Sequence, residues 1–597
     1  MINGYNEGAN ITLLNVLYNR GDYKSDIADA ISIVYKDLDT GRKGVQVIEN
    51  PEFKYYLLKP EAKDSLELIS YPGSFYRYAY DYDSVICNYK DLNLSIACNV
   101  GEENKYYDNV RNRDFISNRR YRKHYKVEGT DHNICDFYMN EFNRLYKNSP
   151  YPLTKSFLDI EVDNIKSPND FPEMGECPIN AVTYLLEEQK TSYTLILRND
   201  ENTQISEFEE ELKNNQQKVL GELYTEIQRT MYDTNDIYKY GFSDMEFKFI
   251  FFDNEIELIR TIFLISEEFK PDFTLAWNMA FDIPYIIARI INLGYDPSII
   301  MCDDDFSVKN YDYFIDIFNY NEYHKRTDYA NISSYSVYID QMIHFASVNS
   351  TKLSKYGNWK LDNIGNIVAK MRKLDYSDEV YSFKEFPYKN FKRFIYYNII
   401  DVLVQVAIEN MSKVVDFIFN KSLKNCTRYA KIHRQSVYLT NALRMNLELN
   451  GKILVTNRKE YNKDEIDDVD NEDKVGYPGA FVADPLLIND YSKTYVNGVP
   501  VMLYRNNFDF DYIALYPYTD KQFNIGHEAM IGKVTIDKDI SYVNEPYNYK
   551  YFESGSHFIM SLQSNNFIGI GNQFLNLPDI TEMYNYINMY KGDVIDV

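Results

Sequence analysis

Cysteine is scarce and never paired. Six cysteines, Cys87, Cys98, Cys135, Cys177, Cys302 and Cys426, stand far apart in a chain of 597 residues. None of the close spacings used by zinc sites or disulfide frameworks occurs, so a reducing, cytoplasmic setting is expected. No apolar run approaches the roughly 20 residues that cross a bilayer, and no membrane partner is expected. The start, Met1-Ile2-Asn3-Gly4-Tyr5-Asn6-Glu7, lacks the basic-then-apolar order of a secretory signal. Internal repeats and long low-complexity tracts are missing too. Positive charge is in deficit: 64 Lys and Arg face 89 Asp and Glu, a net −25. That balance counts against broad contact with nucleic acid, whose phosphates need Lys and Arg. It leaves room for a local basic groove and for clustered carboxylates that hold metal ions.

What is present is size, tyrosine and acid. The chain is too long for one hydrophobic core, so several domains are expected. The 57 tyrosines fill core and surface positions, and some are suited to stacking on bases. Residues 1–150 read as an N-terminal domain with strand-like runs such as Ile31-Ser32-Ile33-Val34-Tyr35. Its basic cluster, Arg111, Arg113, Arg119, Arg120, Arg122 and Lys123, reads as a solvated surface, with phosphate contact as the alternative. The turn Asn148-Ser149-Pro150-Tyr151-Pro152 marks a boundary. Residues 151–410 alternate strands and helices, as an α/β domain does. Residues 411–475 read as a helical linker returning toward the N-terminal domain and ending in an acidic loop. Residues 476–597 are strand-rich. The fold class is therefore a multidomain α/β protein.

Three short segments carry the chemistry. In Ser156-Phe157-Leu158-Asp159-Ile160-Glu161-Val162, strand alternation puts Asp159 and Glu161 on one face. In Leu275-Ala276-Trp277-Asn278-Met279-Ala280-Phe281-Asp282-Ile283-Pro284, a strand ends at Trp277 and a helix begins, with Pro284 expected in its first turn. In Phe394-Ile395-Tyr396-Tyr397-Asn398-Ile399-Ile400-Asp401-Val402, an almost wholly apolar helix carries Tyr397 and Asp401 on one face. Each segment alone has a plain structural reading: a solvated acidic strand, a helix-capping Asp282, a buried Tyr–Asp pair. Together, Asp159, Glu161, Asp282 and Asp401 make a set of four oxygen ligands for two Mg²⁺ or Mn²⁺ ions. Two ions about 4 Å apart stabilise both the attacking and the leaving oxygen of a displacement at phosphorus. Tyr397 is placed to orient the attacking water.

In order and spacing, Asp-x-Glu, Asn-x-x-x-Phe-Asp and Tyr-x-x-x-Asp resemble the three exonuclease motifs of family-B DNA polymerases, above all those of large tailed phages. The resemblance implies a ribonuclease-H-like exonuclease domain that takes a single-stranded 3′ end, with Asn278 and Phe281 against the substrate. It also places a strand-separating β-hairpin within about Tyr311 to Tyr338.

Two further segments extend the likeness. Tyr477-Pro478-Gly479-Ala480-Phe481-Val482 is similar to the link that holds template and primer, so Tyr477, Gly479 and Ala480 are implied DNA contacts. Asn507-Phe508-Asp509-Phe510-Asp511-Tyr512-Ile513-Ala514-Leu515-Tyr516-Pro517 resembles the first palm motif. There Asp511 is the metal ligand, and Leu515 and Tyr516 meet the incoming deoxynucleoside triphosphate. Ala514 and Tyr518 depart from the usual serines. A fingers helix and the Tyr-x-Asp-Thr-Asp strand do not follow, and one palm carboxylate cannot hold two metals. The chain is thus expected to degrade primer–template DNA at its 3′ end, and to polymerise only with a C-terminal polymerase chain supplying fingers, thumb and the second carboxylate. A sliding clamp is a further expected partner. The alternatives are a stand-alone 3′→5′ exonuclease and a non-catalytic DNA-binding scaffold.

Overall fold

A computed structural model describes residues 2–21, 28–65, 76–168, 172–319 and 321–456, together with the backbone of several short strands beyond residue 490. The chain divides into two compact units, residues 1–63 with 76–458, and residues 64–75 with 459–597.

The first unit is built on a six-stranded sheet. Its strands are β1 (Lys155–Val162), β2 (Ile179–Leu186), β3 (Thr191–Leu197), β4 (Glu246–Phe252), β5 (Phe273–Ala276) and, after a separate ribbon, β8 (Val337–Asp340). Their order across the sheet is β4-β3-β2-β1-β5-β8. Strands β1, β2 and β3 form an antiparallel meander, whereas β5 runs parallel to both β1 and β8. The central strands read as nearly unbroken apolar runs because both faces are covered. Every residue of β2 and of β5 is buried.

Helices α1 (Thr203–Arg229), α2 (Glu255–Phe269), α3 (Met279–Asn292), α4 (Gln341–Val348) and α5 (Phe391–Ser412) complete the layers, followed by α6 (Val414–Asn425) and α7 (Gln435–Leu449). Alternation along β1 splits its side chains between two cores. Leu158 and Ile160 pack with Ile259, Ile283 and Ile286 of α2 and α3. Phe157 packs on the opposite side with Phe391, Ile395 and Ile399 of α5. Asp159 and Glu161 share the Phe157 side, so the two acids face α5. Helix α5 is buried all round, as its composition requires: no residue from Phe394 to Glu409 is exposed. Arg289 of α3 grips Glu255 of α2 through two hydrogen bonds of 2.7 Å, fixing that pair of helices with a bidentate fork.

The remaining parts of this unit frame the sheet. Strands Ile11–Asn19, Ala30–Asp37 and Lys43–Glu49 form an antiparallel sheet. The strand expected at Ile31–Tyr35 lies within the second of these. The basic cluster falls on two short helices and the turn after them, with Arg111, Arg113, Arg119 and Arg120 exposed. Strands β6 (Tyr311–Phe314) and β7 (Tyr329–Ile332) pair as an antiparallel ribbon, inside the stretch where a hairpin was expected. After α7, strand Lys452–Leu454 pairs with Tyr76–Tyr78, and Arg444 donates to Asp131 at 3.0 Å. The helical segment therefore runs back against the N-terminal residues.

In the second unit the described backbone contains an antiparallel sheet, ordered Ile568–Ile570, His557–Ser561, Met530–Ile536, Ile595–Asp596, and two hairpins. Tyr477, Gly479, Ala480, Asp511, Leu515 and Tyr516 lie outside the described residues. Among the described residues, no helix is long and apolar enough to cross a membrane.

Candidate active site

The site forms where β1 and β5 end and α3 begins, with α5 crossing above. In open α/β sheets, this crevice at the carboxyl ends of parallel strands is where ligands bind. Strand β5 turns into α3 through Asn278, which adopts a left-handed conformation (φ 71°). Asn tolerates that region better than other non-glycine residues. The turn starts the helix at Met279, one turn earlier than the proline pattern implied, so Pro284 sits inside the helix instead of in its first turn. Asp282 is consequently not the residue that caps α3. It is buried, and the nearby Ile160 backbone draws its carboxyl down against the larger upward push of burial.

The fold brings three of the four expected acids into direct proximity. Ligand oxygens of Asp159, Glu161 and Asp401 lie within 4.8 Å of one another. Asp282 lines the same cleft, of about 500 Å³, but its carboxylate stands outside that trio. Trp277, Asn278, Phe281 and Tyr397 line the cleft as well. Withdrawal from water and mutual repulsion show in the carboxyl groups. Asp159 is pushed well up, by desolvation first and then by Glu161, Asp401 and Asp282. Glu161 is pushed up to about 8 by desolvation and by Asp401. Asp282 also rises to about 8, by desolvation and the nearby Asp340. Acids this crowded hold protons unless a cation neutralises them. One oxygen of Asp401, Oδ1, is buried with no hydrogen-bond partner. A crowded carboxylate trio with an orphaned buried oxygen fits a hard divalent cation.

Lys373 is the residue that motif reading missed. Its Nζ donates to Tyr397 Oη at 2.9 Å and reaches Asp401 Oδ2 at 2.5 Å. Burial alone would pull this ammonium down, but Asp401, Tyr397 and Asp159 more than reverse that and leave it well above its ordinary value. No local pattern distinguishes Lys373 from other lysines in the sequence. The packing of the one-turn π-helix Gly365–Ala369 on α5, and a hydrogen bond from the Lys373 amide to Asp362 Oδ1 at 3.0 Å, deliver it. A Cβ at Gly365 would lie 2.5 Å from Val404 Cγ1 and 2.8 Å from the Met371 carbonyl, so only glycine allows this close approach. Tyr397 is walled in by the rings of Tyr376 and Phe383, at centroid distances of 5.6 and 5.2 Å.

Residues 103–364 match the model of the DNA polymerase family B exonuclease domain. The chain carries a family-B polymerase exonuclease domain, of the phage type. Over 467 residues it is 24% identical to the DNA-directed DNA polymerase of Escherichia phage RB69, covering 76% of this chain and 45% of the relative. Over 417 residues it is 24% identical to the DNA-directed DNA polymerase of Enterobacteria phage T4, covering 68% of this chain and 40% of the relative. The chain thus spans less than half the length of these curated relatives. Asp159, Glu161 and Asp282 of the exonuclease domain fall inside the matched residues. Tyr397 and Asp401 lie past them and are joined to the site by the folding of α5 over β1.

Proposed function

We propose that this chain removes nucleotides from the 3′ end of a DNA strand, as the proofreading part of a phage replicative polymerase. The observation that carries the reading is the meeting of Asp159, Glu161 and Asp401 within 4.8 Å, in a cleft shared with Asp282 and Tyr397. The antiparallel β3-β2-β1 meander continued by parallel β5 and β8 supports a ribonuclease-H-like reading of the domain. Asp159, Glu161, Asp282 and Asp401 would hold two Mg²⁺ or Mn²⁺ ions, which supply charge neutralisation and a more acidic water.

The chain's own groups do the positioning. Burial pushes the Tyr397 phenol far up, so it keeps its proton and orients the attacking water as a hydrogen-bonding group, not as a base. Asn278 and Phe281 hold the terminal nucleotide. Water attacks the last phosphorus, the bond to the preceding 3′ oxygen breaks, and a deoxynucleoside monophosphate leaves a strand with a new 3′ hydroxyl. Nucleotide addition is proposed only with fingers, thumb and a second palm carboxylate, whether from further sequence or from a partner chain. In that assembly Asp511 would hold metal, Leu515 and Tyr516 would meet the deoxynucleoside triphosphate, and Tyr477, Gly479 and Ala480 would touch DNA. A sliding clamp is proposed as a further partner.

The test is a 5′-labelled primer–template incubated with Mg²⁺. Stepwise shortening from the 3′ end is the expected result. An intact primer under every condition sinks the reading.

Two further outcomes follow from the electrostatics. Lys373 lowers the proton affinity of Asp159, Glu161 and Asp401. Lys373→Met is therefore expected to slow hydrolysis about 10-fold and to move the rising limb of the rate–pH profile to higher pH. An unshifted profile at full rate counts against this role for Lys373.

The second outcome concerns stability. Glu161 and Asp282 have folded values raised to about 8, above those of an unfolded chain. The folded state therefore binds protons more tightly, and this stabilisation is complete at low pH and lost as pH rises toward 8. In chelator the melting temperature should fall across that window, and Mg²⁺ should raise it by more at pH 8 than at pH 6. Glu161→Gln should flatten the difference. Equal Mg²⁺ shifts at both pH values, in wild type and variant alike, would contradict it.

A further inference from the structure

On the face of the sheet that meets α5, one polar row runs across three strands. Asp159, Thr183 and Thr194 sit directly opposite one another across β1, β2 and β3. Both threonines are buried, and so is Asn398, which reaches down from α5 into the row. Buried polar groups need partners, and these satisfy one another in sequence. Thr183 Oγ1 donates to Asn398 Oδ1 at 2.5 Å. Asn398 Nδ2 donates to Asp159 Oδ2 at 2.7 Å. Thr183 and Thr194 hydroxyls lie 3.4 Å apart. A hydroxyl has one proton. Since that of Thr183 is given to Asn398, Thr194 is the donor in the last contact.

The order has a direction. With the Asn398 amide turned over, its oxygen would face the Asp159 carboxylate at hydrogen-bond distance with no proton between them. The acceptor-only carboxylate therefore selects the orientation that aims the NH₂ group at Asp159, and the Thr183 hydroxyl donates to the amide oxygen left facing it.

We propose that Asn398 is a positioning residue. Its amide, held from behind by the Thr183 hydroxyl, fixes the plane of the Asp159 carboxylate so that the divalent cation meets a prearranged ligand. The proposal rests on the exonuclease reading above and extends it to side chains that touch neither DNA nor the reacting atoms. Groups that orient a metal ligand from behind typically contribute about 10-fold or more to metal affinity.

The experiment is a Mn²⁺ titration of the full chain followed by electron paramagnetic resonance, paired with nucleotide release from single-stranded DNA. Asn398→Leu is expected to weaken Mn²⁺ binding about 10-fold, to raise the Mg²⁺ requirement of hydrolysis and to leave the KM for DNA unchanged. Thr183→Val keeps the side-chain volume and removes only the hydroxyl. It is expected to shift both metal readouts in the same direction by less. The double variant should be no worse than Asn398→Leu, because both act through one hydrogen bond. If Asn398→Leu fails to fold, Thr183→Val alone decides: wild-type Mn²⁺ affinity overturns the proposal. Wild-type metal affinity in both variants, alongside loss of binding in Asp159→Ala, also overturns it while sparing the exonuclease reading. Full hydrolysis by Asp159→Ala overturns that reading itself.

Discussion

Asp159→Ala is expected to slow release of the 3′-terminal nucleotide by about 10³-fold or more, while the variant melts no lower than wild type in the absence of metal. The first part follows from where charge gathers in the reaction. Removing one group aimed at developing charge in a water-poor site typically costs about 10²–10³ in rate, and Asp159 is both a proposed ligand and a neighbour to Glu161 and Asp401. The second part follows from repulsion. Desolvation, Glu161, Asp401 and Asp282 all push the Asp159 carboxyl up, so its removal relieves a strain that the folded protein carries for function.

Asp401→Ala should abolish activity to a similar degree but with a different stability signature. Asp401 is the partner of Lys373, and its loss strands a partly buried ammonium. Combining the two substitutions should cost little more activity than either alone, as groups acting in one unit do. Single-turnover release of labelled mononucleotide measures the rate, and thermal melts in chelator measure stability. Activity of Asp159→Ala within tenfold of wild type would remove the carboxylates from the mechanism.

The local part of this site is legible in sequence because two periodicities dictate it. A period of two places Asp159 beside Glu161, and a step of four on a helix places Tyr397 over Asp401. What sequence periodicity cannot show is that β1 and α5 meet, since that contact is made by cores built from Phe157, Ile395 and Ile399. The same limit hid Lys373, which arrives from a turn with no pattern of its own. It hid Asn398 as well, which reads as one polar residue in an apolar helix until the sheet beneath it is known. The expectation for α3 missed for a different reason. Pro284 pointed to a first helical turn, but Asn278 accepted a left-handed backbone and let the helix begin earlier. Asp282 thereby became a cleft-lining acid of the first turn instead of the cap.

Lys155→Met is expected to destabilise the first unit by about 3–5 kcal/mol, the usual cost of leaving one member of a buried ion pair alone. Lys155 Nζ lies 2.9 Å from Glu409 Oε1 and 2.7 Å from Asp416 Oδ2, and the Lys155 and Glu409 side chains are 4% and 1% exposed. Burial by itself pulls the Lys155 ammonium down. Glu409 and Asp416 more than reverse this, and the net shift is upward, so the lysine is charged wherever the protein is folded near neutral pH. Methionine fills the same space and supplies no charge, leaving Glu409 with Oε2 already unpartnered. Lys155→Met/Glu409→Met should recover most of the loss, because apolar replacement of both partners is commonly neutral or better. Urea denaturation of the wild type and the two variants measures this.

The pair also has a geometric consequence. Lys155 begins the strand that carries Asp159 and Glu161, and Glu409 lies further along the helix that carries Tyr397 and Asp401. It therefore pins together the two elements whose meeting makes the site. A double variant with restored stability but slower nucleotide release would separate that role from stability, since small misplacements of ligands lower rates even in a well-folded site. Restored stability at full rate would assign the alignment to the apolar core alone.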